Sequence, residues 1–337
     1  MINMEKVLVL GGTGAMGRYV VPELLSMGYS VDVVALGDMP PSEKNLKYIE
    51  ANAMDDQCIE ILLKNNYDAV VDFMSYYVKR FEVRMPMFLN NTKHYIFLSS
   101  CRVFADDSSI TEKSARLLDV SKDGEYLAKS EKEYSLYKAI EENMLMESGY
   151  KNWTIVRPAT TYSTGRAQLV TLEANSFVYR AINHKKVVLP YEAMECQATM
   201  SWGGDVGKMI ARLVLNEAAY GEDYNVATSE HHKWKEIAEY YRELIGLEYE
   251  LVDKETYLNC IADENLYPYA KYQLIYARMF NRVTDNSKIL KITGMKQEEL
   301  MPLKEGLKKE LSKSITDNIK PNEFIDKKMD EYFERSR

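Results

Sequence analysis

A glycine turn at the very start of the chain limits the fold more than any other stretch. Val7–Leu10 is an apolar run, and Gly11-Gly12-Thr13-Gly14-Ala15-Met16-Gly17 follows it at once, ahead of a helix-like stretch from Arg18 to Met27. The order is strand, glycine turn, helix. Glycines there let the backbone bend tightly and approach a pyrophosphate with no Cβ in the way. The helix start offers free N–H groups and a positive partial charge to phosphates. A glycine cluster alone says little, but its place between an apolar strand and a helix points to a dinucleotide site.

The rest of the first half keeps that rhythm. Val31–Leu36, Tyr48–Ala51, Asp68–Phe73, His94–Ser99 and Trp153–Val156 read as strands. Helical spacing is expected over Asp56–Asn65, Val78–Leu89 and Ser130–Glu147. Strands separated by helices of this length imply parallel βαβ units and a doubly wound α/β sheet, whose ligands sit at the carboxyl ends of the strands. After Pro158 the pattern loosens. Thr161–Gln168 is loop-like, Leu169–Asn183 and Gly203–Leu215 are helical, and Val187–Leu189 is a short strand. Tyr224–Ala227 reads as a strand returning to the sheet, and from Trp234 the chain is mostly helical. The expected division is a dinucleotide domain over 1–165, an interleaved, mostly helical substrate lobe over 166–320 and a charged C-terminal stretch over 321–337, a solvated helix or a frayed tail.

Composition narrows the function classes. The 337 residues are 46% hydrophobic and 28% charged, enough for a large core and one or two domains. A net charge of −8 leaves no global basic footprint for nucleic acid. Cys58, Cys101, Cys196 and Cys260 form no paired or histidine-associated cluster, so neither structural zinc nor a disulfide framework is expected. The His231-His232 pair has no evident third ligand, and no metal is expected. No signal-type segment precedes the first strand, and no apolar run nears the roughly 18 residues of a membrane span. The expectation is a cytoplasmic protein acting on a small molecule, without nucleic-acid or membrane partners.

Two further features sit where a nicotinamide enzyme needs them. Ser99-Ser100-Cys101-Arg102 closes the fifth strand, and Tyr134-Ser135-Leu136-Tyr137-Lys138 lies on the long helix. Tyr134 and Lys138 are four residues apart and share one helix face. A neighbouring ammonium favours a phenolate, lowering a tyrosine pKa from its ordinary value of about 10. Such a tyrosine exchanges a proton with a hydroxyl while hydride leaves the adjacent carbon. A serine at a strand end hydrogen-bonds the same oxygen. Among 25 tyrosines the spacing also recurs at Tyr267 and Lys271. That second match encloses Pro268, lies beyond the sheet-forming half and is read as accidental.

With Gly11, Gly14, Gly17, Ser100, Tyr134, Lys138, Val156-Arg157-Pro158 and Asp205-Val206 in this order, the chain resembles the extended short-chain dehydrogenase/reductase superfamily, in its NAD-dependent epimerase/dehydratase branch. The resemblance spans about residues 5–300, including Asp285-Asn286-Ser287-Lys288. It implies a Rossmann-type fold with a small C-terminal substrate lobe. It implies Tyr134 as acid/base, Lys138 on the nicotinamide ribose and Ser100 orienting the substrate oxygen. By the same resemblance the cofactor is held by Gly11, Gly14, Ala15, Met16, Gly17, Asn52, Ala53, Phe73, Met74, Tyr134, Lys138, Arg157 and Pro158. Two long helices, Val78–Leu89 and Ser130–Glu147, would form a homodimer interface; a monomer is the alternative.

The chain departs from the family pattern at several places. The acid expected after the second strand falls at Ala35-Leu36, with Asp38 two or three residues late. No arginine stands there for a 2′-phosphate. The cofactor is NAD or NADP, and the lack of a basic residue leans to NAD. Ala51-Asn52 replaces the usual Gly-Asp. Only 26 residues separate Asp72 from Ser99, leaving room for one helix and no long active-site loop. Gln197 and Ala198 stand where nucleotide-sugar enzymes carry a diphosphate-binding arginine, which weighs against a UDP- or dTDP-sugar. The expected function is NAD(P)-dependent oxidoreduction, epimerisation or dehydration at a hydroxyl or keto carbon of a sugar-like molecule. The alternative is a non-catalytic dinucleotide-binding sensor or an RNA-associated relative. The Ser100, Tyr134 and Lys138 set argues against it, and the acidic charge argues against RNA.

Overall fold

The computed structural model describes residues 4–37, 41–316 and 319–335. Seven strands form one sheet: β1 (Lys6–Leu10), β2 (Ser30–Ala35), β3 (Leu46–Glu50), β4 (Ala69–Asp72), β5 (His94–Leu98), β6 (Trp153–Pro158) and β7 (Glu222–Val226). Their spatial order is β3-β2-β1-β4-β5-β6-β7, and every neighbouring pair is parallel. All seven strands expected from the sequence are present, including the late return of β7. Central parallel strands are covered on both faces, so they read as unbroken apolar runs rather than alternating ones. Val7, Leu8, Val9 and Leu10 are each fully buried.

Helices cover the two faces. On one, α1 (Gly17–Ser26) and the helix Gly203–Leu213 bury Val20, Val21, Val206, Met209 and Ile210 against Val7, Val9, Val31 and Val33. On the other, α2 (Asp56–Leu63), α3 (Val78–Asn91) and the helix Tyr134–Glu147 pack Ile59, Phe81, Phe88 and Leu145 onto Leu8, Leu10, Val70, Tyr95 and Phe97. A third core, around Phe177, Trp234, Tyr241, Tyr257 and Leu303, belongs to the later part of the chain. No described helix is long and apolar enough to cross a membrane.

Three local expectations differ from the structure. The long helix begins at Tyr134, not Ser130, because the buried Glu133 carboxylate accepts from the Ser135 and Leu136 N–H groups and caps it there. The helix expected from Leu169 begins at Ala174. Before it, Gln168–Leu169 and Leu172–Glu173 pair as a small hairpin, with Val170 at φ +53°. The charged C-terminal stretch, expected to be a solvated helix or a frayed tail, is the helix Glu323–Arg335, but it docks by one face. Its Met329 is fully buried. Asp326 and Asp330, one turn apart, grip Arg180 at 2.6 and 2.9 Å and Lys185 at 2.9 and 2.7 Å.

The glycine turn is also a packing device. A Cβ on Gly17 would sit 2.5 Å from the Gly12 Cα. That contact is backbone on backbone and leaves α1 no slack over β1. Gly17→Ala is expected to lower the unfolding free energy by about 1–3 kcal/mol through overpacking. The measurement is a urea titration; an unchanged midpoint at unchanged slope would refute the close contact.

Candidate active site

The carboxyl ends of β1, β4, β5 and β6 open onto a cavity of about 450 Å³. Gly11, Gly14, Ala15, Met16 and Gly17 border it on one side. Gly11 adopts φ +74°, a conformation L side chains rarely take. A Cβ there would lie 3.4 Å from both Met74 Sδ and Phe73 Cβ, so the residues after β4 lie against the turn. No side chain caps α1, and its first turn carries no acid. Its N-terminal N–H groups and dipole therefore face the cavity without a carboxylate to compete for them. These features fit a dinucleotide pyrophosphate.

Ser100 and Tyr134 border the same cavity. The Ser100 Oγ caps a short 3₁₀ turn by accepting from the Arg102 N–H at 3.2 Å. Tyr134 is the first residue of its helix. Its ring meets Tyr137 edge-on at 5.4 Å, and the Arg102 guanidinium lies over it at 5.0 Å. The Tyr137 hydroxyl bonds Ser75, another wall residue, at 2.7 Å.

Two turns along that helix, Glu142 fixes its register against the sheet. Arg157 on β6 donates to both Glu142 oxygens at 2.6 and 3.0 Å and to Asp223 at 2.5 Å. Ser99 Oγ also donates to Glu142. Burial opposes the Arg157 charge, but Glu142 and Asp223 more than offset it and hold the guanidinium above its ordinary pKa. Arg157 thus spends its side chain on the fold and does not border the cavity, whereas Pro158 does.

Lys138 also points elsewhere. It is 1% exposed and does not border the cavity. Its ammonium lies 2.9 Å from Glu141 Oε2, near enough for an ion pair though not aligned as a hydrogen bond, and 4.5 Å from the Phe97 ring centre. Burial pushes the Glu141 carboxyl up to about 7, against the pull of Lys138. Asp72 is buried beside them. It accepts from the Tyr95 and Tyr76 hydroxyls at 2.9 and 3.2 Å and from the Met74 N–H at 3.0 Å, and burial still raises its pKa.

The expected adenosine-side residues lie apart from the cavity. Asn52 is exposed and its Oδ1 accepts from the Met54 N–H at 2.9 Å in a turn after β3, while Ala53 is buried. Met74 touches the turn from behind. Leu36, just after β2, is 69% exposed, and Asp38 lies outside the described residues. Of the expected set, Gly11, Gly14, Ala15, Met16, Gly17, Phe73, Ser100, Tyr134 and Pro158 meet at the cavity, whereas Asn52, Ala53, Met74, Lys138 and Arg157 do not border it.

The cavity is also lined by charged residues outside the expected set. Arg102, Arg166, Arg278 and Arg282 line the cavity with a single carboxylate, Glu173. Arg278 ends a π-helical turn, Leu274–Arg278, a distortion frequent at functional sites. Its nitrogens donate to Thr160 Oγ1 at 2.9 Å and Gln168 Oε1 at 3.1 Å. Arg282 donates to the carbonyls of Phe104 and Tyr276 at 2.8 and 2.7 Å. Burial, with repulsion from Arg102, pushes Arg278 down to about 9; burial likewise pushes Arg282 down to about 10. Arg102, two residues after Ser100, was within reach of sequence reasoning. The other three have no spacing to mark them.

The family model for the NAD dependent epimerase/dehydratase family matches residues 7–227, more than half of the chain. The chain belongs to that family, whose members are NAD-dependent. Solved structures agree in fold. Epimerase Mth375 from Methanothermobacter thermautotrophicus superposes with a TM-score of 0.70 at 14% identity, over 94% of this chain and 93% of that one. A dTDP-glucose 4,6-dehydratase from Bacillus anthracis, in complex with NAD, gives 0.68 at 15% identity over 96% and 99%. A UDP-glucose 4-epimerase from Thermotoga maritima, with UDP-glucose, gives 0.65 at 18% over 93% and 99%. No curated protein matches the chain.

The buried pair beneath Tyr134 has a titration consequence. Glu141 titrates near 7 in the folded protein against an ordinary 4.5. Between those values the folded state holds a proton that the unfolded chain has released, so this group's contribution to stability falls as pH rises through the window. Glu141→Gln has no such proton. Its stability relative to wild type is expected to grow by up to about 3 kcal/mol between about pH 5 and about pH 8. Denaturant titrations at both pH values measure this, and a pH-independent difference would contradict it.

Proposed function

We propose that this protein is an NAD-dependent enzyme that oxidises a hydroxyl carbon of a nucleotide sugar, as the first step of an epimerisation, dehydration or net oxidation. One observation carries the reading: the glycine turn, Ser100, Tyr134 and an arginine-rich wall face one cavity. Family membership and the named substrates of similar structures support it. The missing arginine at Gln197 and Ala198 weighs less once Arg278 and Arg282 are seen on the same wall.

Bound NAD supplies a hydride acceptor. Gly11, Gly14 and the N-terminus of α1 would hold its pyrophosphate, and Phe73 and Pro158, which border the same cavity, would complete its site. Ser100 fixes the substrate oxygen by a hydrogen bond. Tyr134 takes the hydroxyl proton as the carbon is oxidised and returns it when a keto group is reduced. Lys138, one helical turn away, places positive charge behind Tyr134, and its pairing with Glu141 tempers that charge. The wall beyond, with its four arginines, takes an anionic substrate. NAD rather than NADP fits the exposed, uncharged Leu36 after β2. The division at residues 165 and 320 is kept as the boundary of the substrate lobe, with residues 323–335 added to it as its docked last helix.

A non-catalytic role draws support from one observation, the pairing of Lys138 with Glu141 away from the cavity. The two readings part at Tyr134. Tyr134→Phe is expected to keep NADH affinity, read by nicotinamide fluorescence, while turnover of the oxidised sugar nucleotide drops by about 10²–10⁴-fold. Gly14→Val is expected to abolish NADH binding. Full turnover in Tyr134→Phe would remove it as the acid/base, and a wild type that binds no NAD(H) would end the proposal.

A further inference from the structure

Behind Tyr134 lies a buried ion pair that is badly made for a structural role. Lys138 and Glu141 are both sealed from water on the helix Tyr134–Glu147, with the ammonium 2.9 Å from Glu141 Oε2. A buried ion pair tolerates its desolvation when its polar atoms are also hydrogen-bonded. Here the ammonium and both Glu141 oxygens lack an aligned hydrogen bond. Glu142, the next residue, shows the contrast. It accepts two bonds from Arg157, one from Ser99 and a longer one from Arg116.

The loose pair lies close behind the cavity wall. Lys138 Nζ is 4.5 Å from the Phe97 ring centre, and Leu98, the next residue on β5, borders the cavity. It is 5.9 Å from the Tyr137 ring centre, and the Tyr137 hydroxyl bonds Ser75, a wall residue, at 2.7 Å. Tyr134, one helical turn before Lys138, is itself on the wall. A lysine carries a compact charge on a flexible four-carbon stem, so its ammonium moves without the backbone.

The groups facing the pair decide what holds Lys138 back. On β4, Asp72 attracts the ammonium, but its hydrogen bonds come from Tyr95, Tyr76 and the Met74 N–H. Tyr76, Tyr95 and Tyr137 stay neutral phenols, because burial pushes each above its ordinary value. Arg84 on α3 is paired with Asp56 and lies over the Tyr76 ring at 5.6 Å. Glu142 is taken by Arg157 and Arg116. Glu141 is therefore the carboxylate that sets where Lys138 rests. Burial, with Asp72 and Glu142 adding to it, pushes its carboxyl up to about 7 against the pull of Lys138.

We propose that Glu141 is a positioning residue that acts through Lys138: ionised, it holds the ammonium behind the helix, and protonated, it lets Lys138 turn to the ribose diol beside the nicotinamide. When Lys138 leaves, the Glu141 carboxyl loses its neighbouring cation and binds a proton more tightly. Dinucleotide binding and protonation of Glu141 thus favour one another, and by linkage to the same extent. This rests on the dinucleotide reading above, and the test separates the two.

Calorimetric titration of the full chain with NADH, in buffers of different ionisation enthalpy, reads affinity and proton uptake together. Wild type is expected to take up about half a proton per NADH at about pH 7.5 and almost none at about pH 6, where Glu141 already holds its proton. Its affinity is expected to be about fivefold weaker at about pH 8.5 than at about pH 6.5. Glu141→Gln is expected to take up no proton and to bind equally well at both pH values, no more weakly than wild type at the lower one. Lys138→Met is expected to take up none and to bind more weakly than wild type at the lower pH; melting temperatures confirm that both variants are folded. The wild-type titrations and Glu141→Gln decide the matter even if Lys138→Met does not fold. Proton uptake or pH dependence that survives in Glu141→Gln, a wild type with neither, or a Lys138→Met that binds as tightly as wild type would overturn the proposal and leave the dinucleotide reading standing. A wild type that binds no NADH at any of these pH values would sink both.

Discussion

The buried pair of Glu142 and Arg157 holds the site together. Both side chains are essentially sealed from water, so the pair tolerates its desolvation only because each polar atom is used. Arg157 bridges Glu142 and Asp223. Arg116 adds a longer contact to Glu142 at 3.3 Å, and Ser99 supplies a hydroxyl. Through these bonds the helix bearing Tyr134 is tied to the ends of β5, β6 and β7. Because Ser99 is in the knot, its neighbour Ser100 is held in register with Tyr134. A one-residue slip of the helix would turn Tyr134 by about 100° away from the cavity.

The same helix separates two electrostatic regimes. Behind it, Asp72 and Glu141 share the ammonium of Lys138 in a dry pocket, and burial raises both carboxyls. In front, the cavity wall is short of carboxylates, and burial lowers Arg278 and Arg282. Each side disfavours its own charged groups, but only the front opens to a ligand. The rear cluster is closed on itself and tunes the helix, whereas the front is completed by what binds there. This asymmetry sets Lys138, paired behind the helix, apart from Arg278, which lines the cavity, though both are buried cations.

Much of this was legible in the sequence, and the reasons for the rest are physical. Central parallel strands announce themselves as apolar runs, so all seven could be read, even β7 after a long detour. The glycine turn was legible because a Cβ at Gly17 would fall 2.5 Å from the Gly12 Cα, a place only glycine fits. Ser100 and Tyr134 were found by their order along the chain. The start of the Tyr134 helix was not, since Ser130-Glu131-Lys132-Glu133 has fair helix propensity and only the tertiary burial of Glu133 makes it a cap. Nor was the direction of Lys138. Spacing places a residue on a helix face, but Glu141, three residues on, competes for the same ammonium.

The arginines show most clearly where sequence reasoning stops. A motif is a spacing along the chain, whereas a binding site needs charge at a place. Of Gln197 and Ala198, where the family pattern expects an arginine, Ala198 borders the cavity, and its neighbour Thr199 donates from Oγ1 to the Arg282 carbonyl at 2.7 Å. The segment that lacks the charge is therefore packed directly against the one that supplies it. A small residue at 198 thus stands beside an arginine at 282 that lines the same cavity. Arg278 reaches the cavity through a π-helical turn, whose extra residue breaks the 3.6-residue period on which a sequence reading depends. The loss of a motif residue is evidence of lost function only when no neighbour in space can take over its charge.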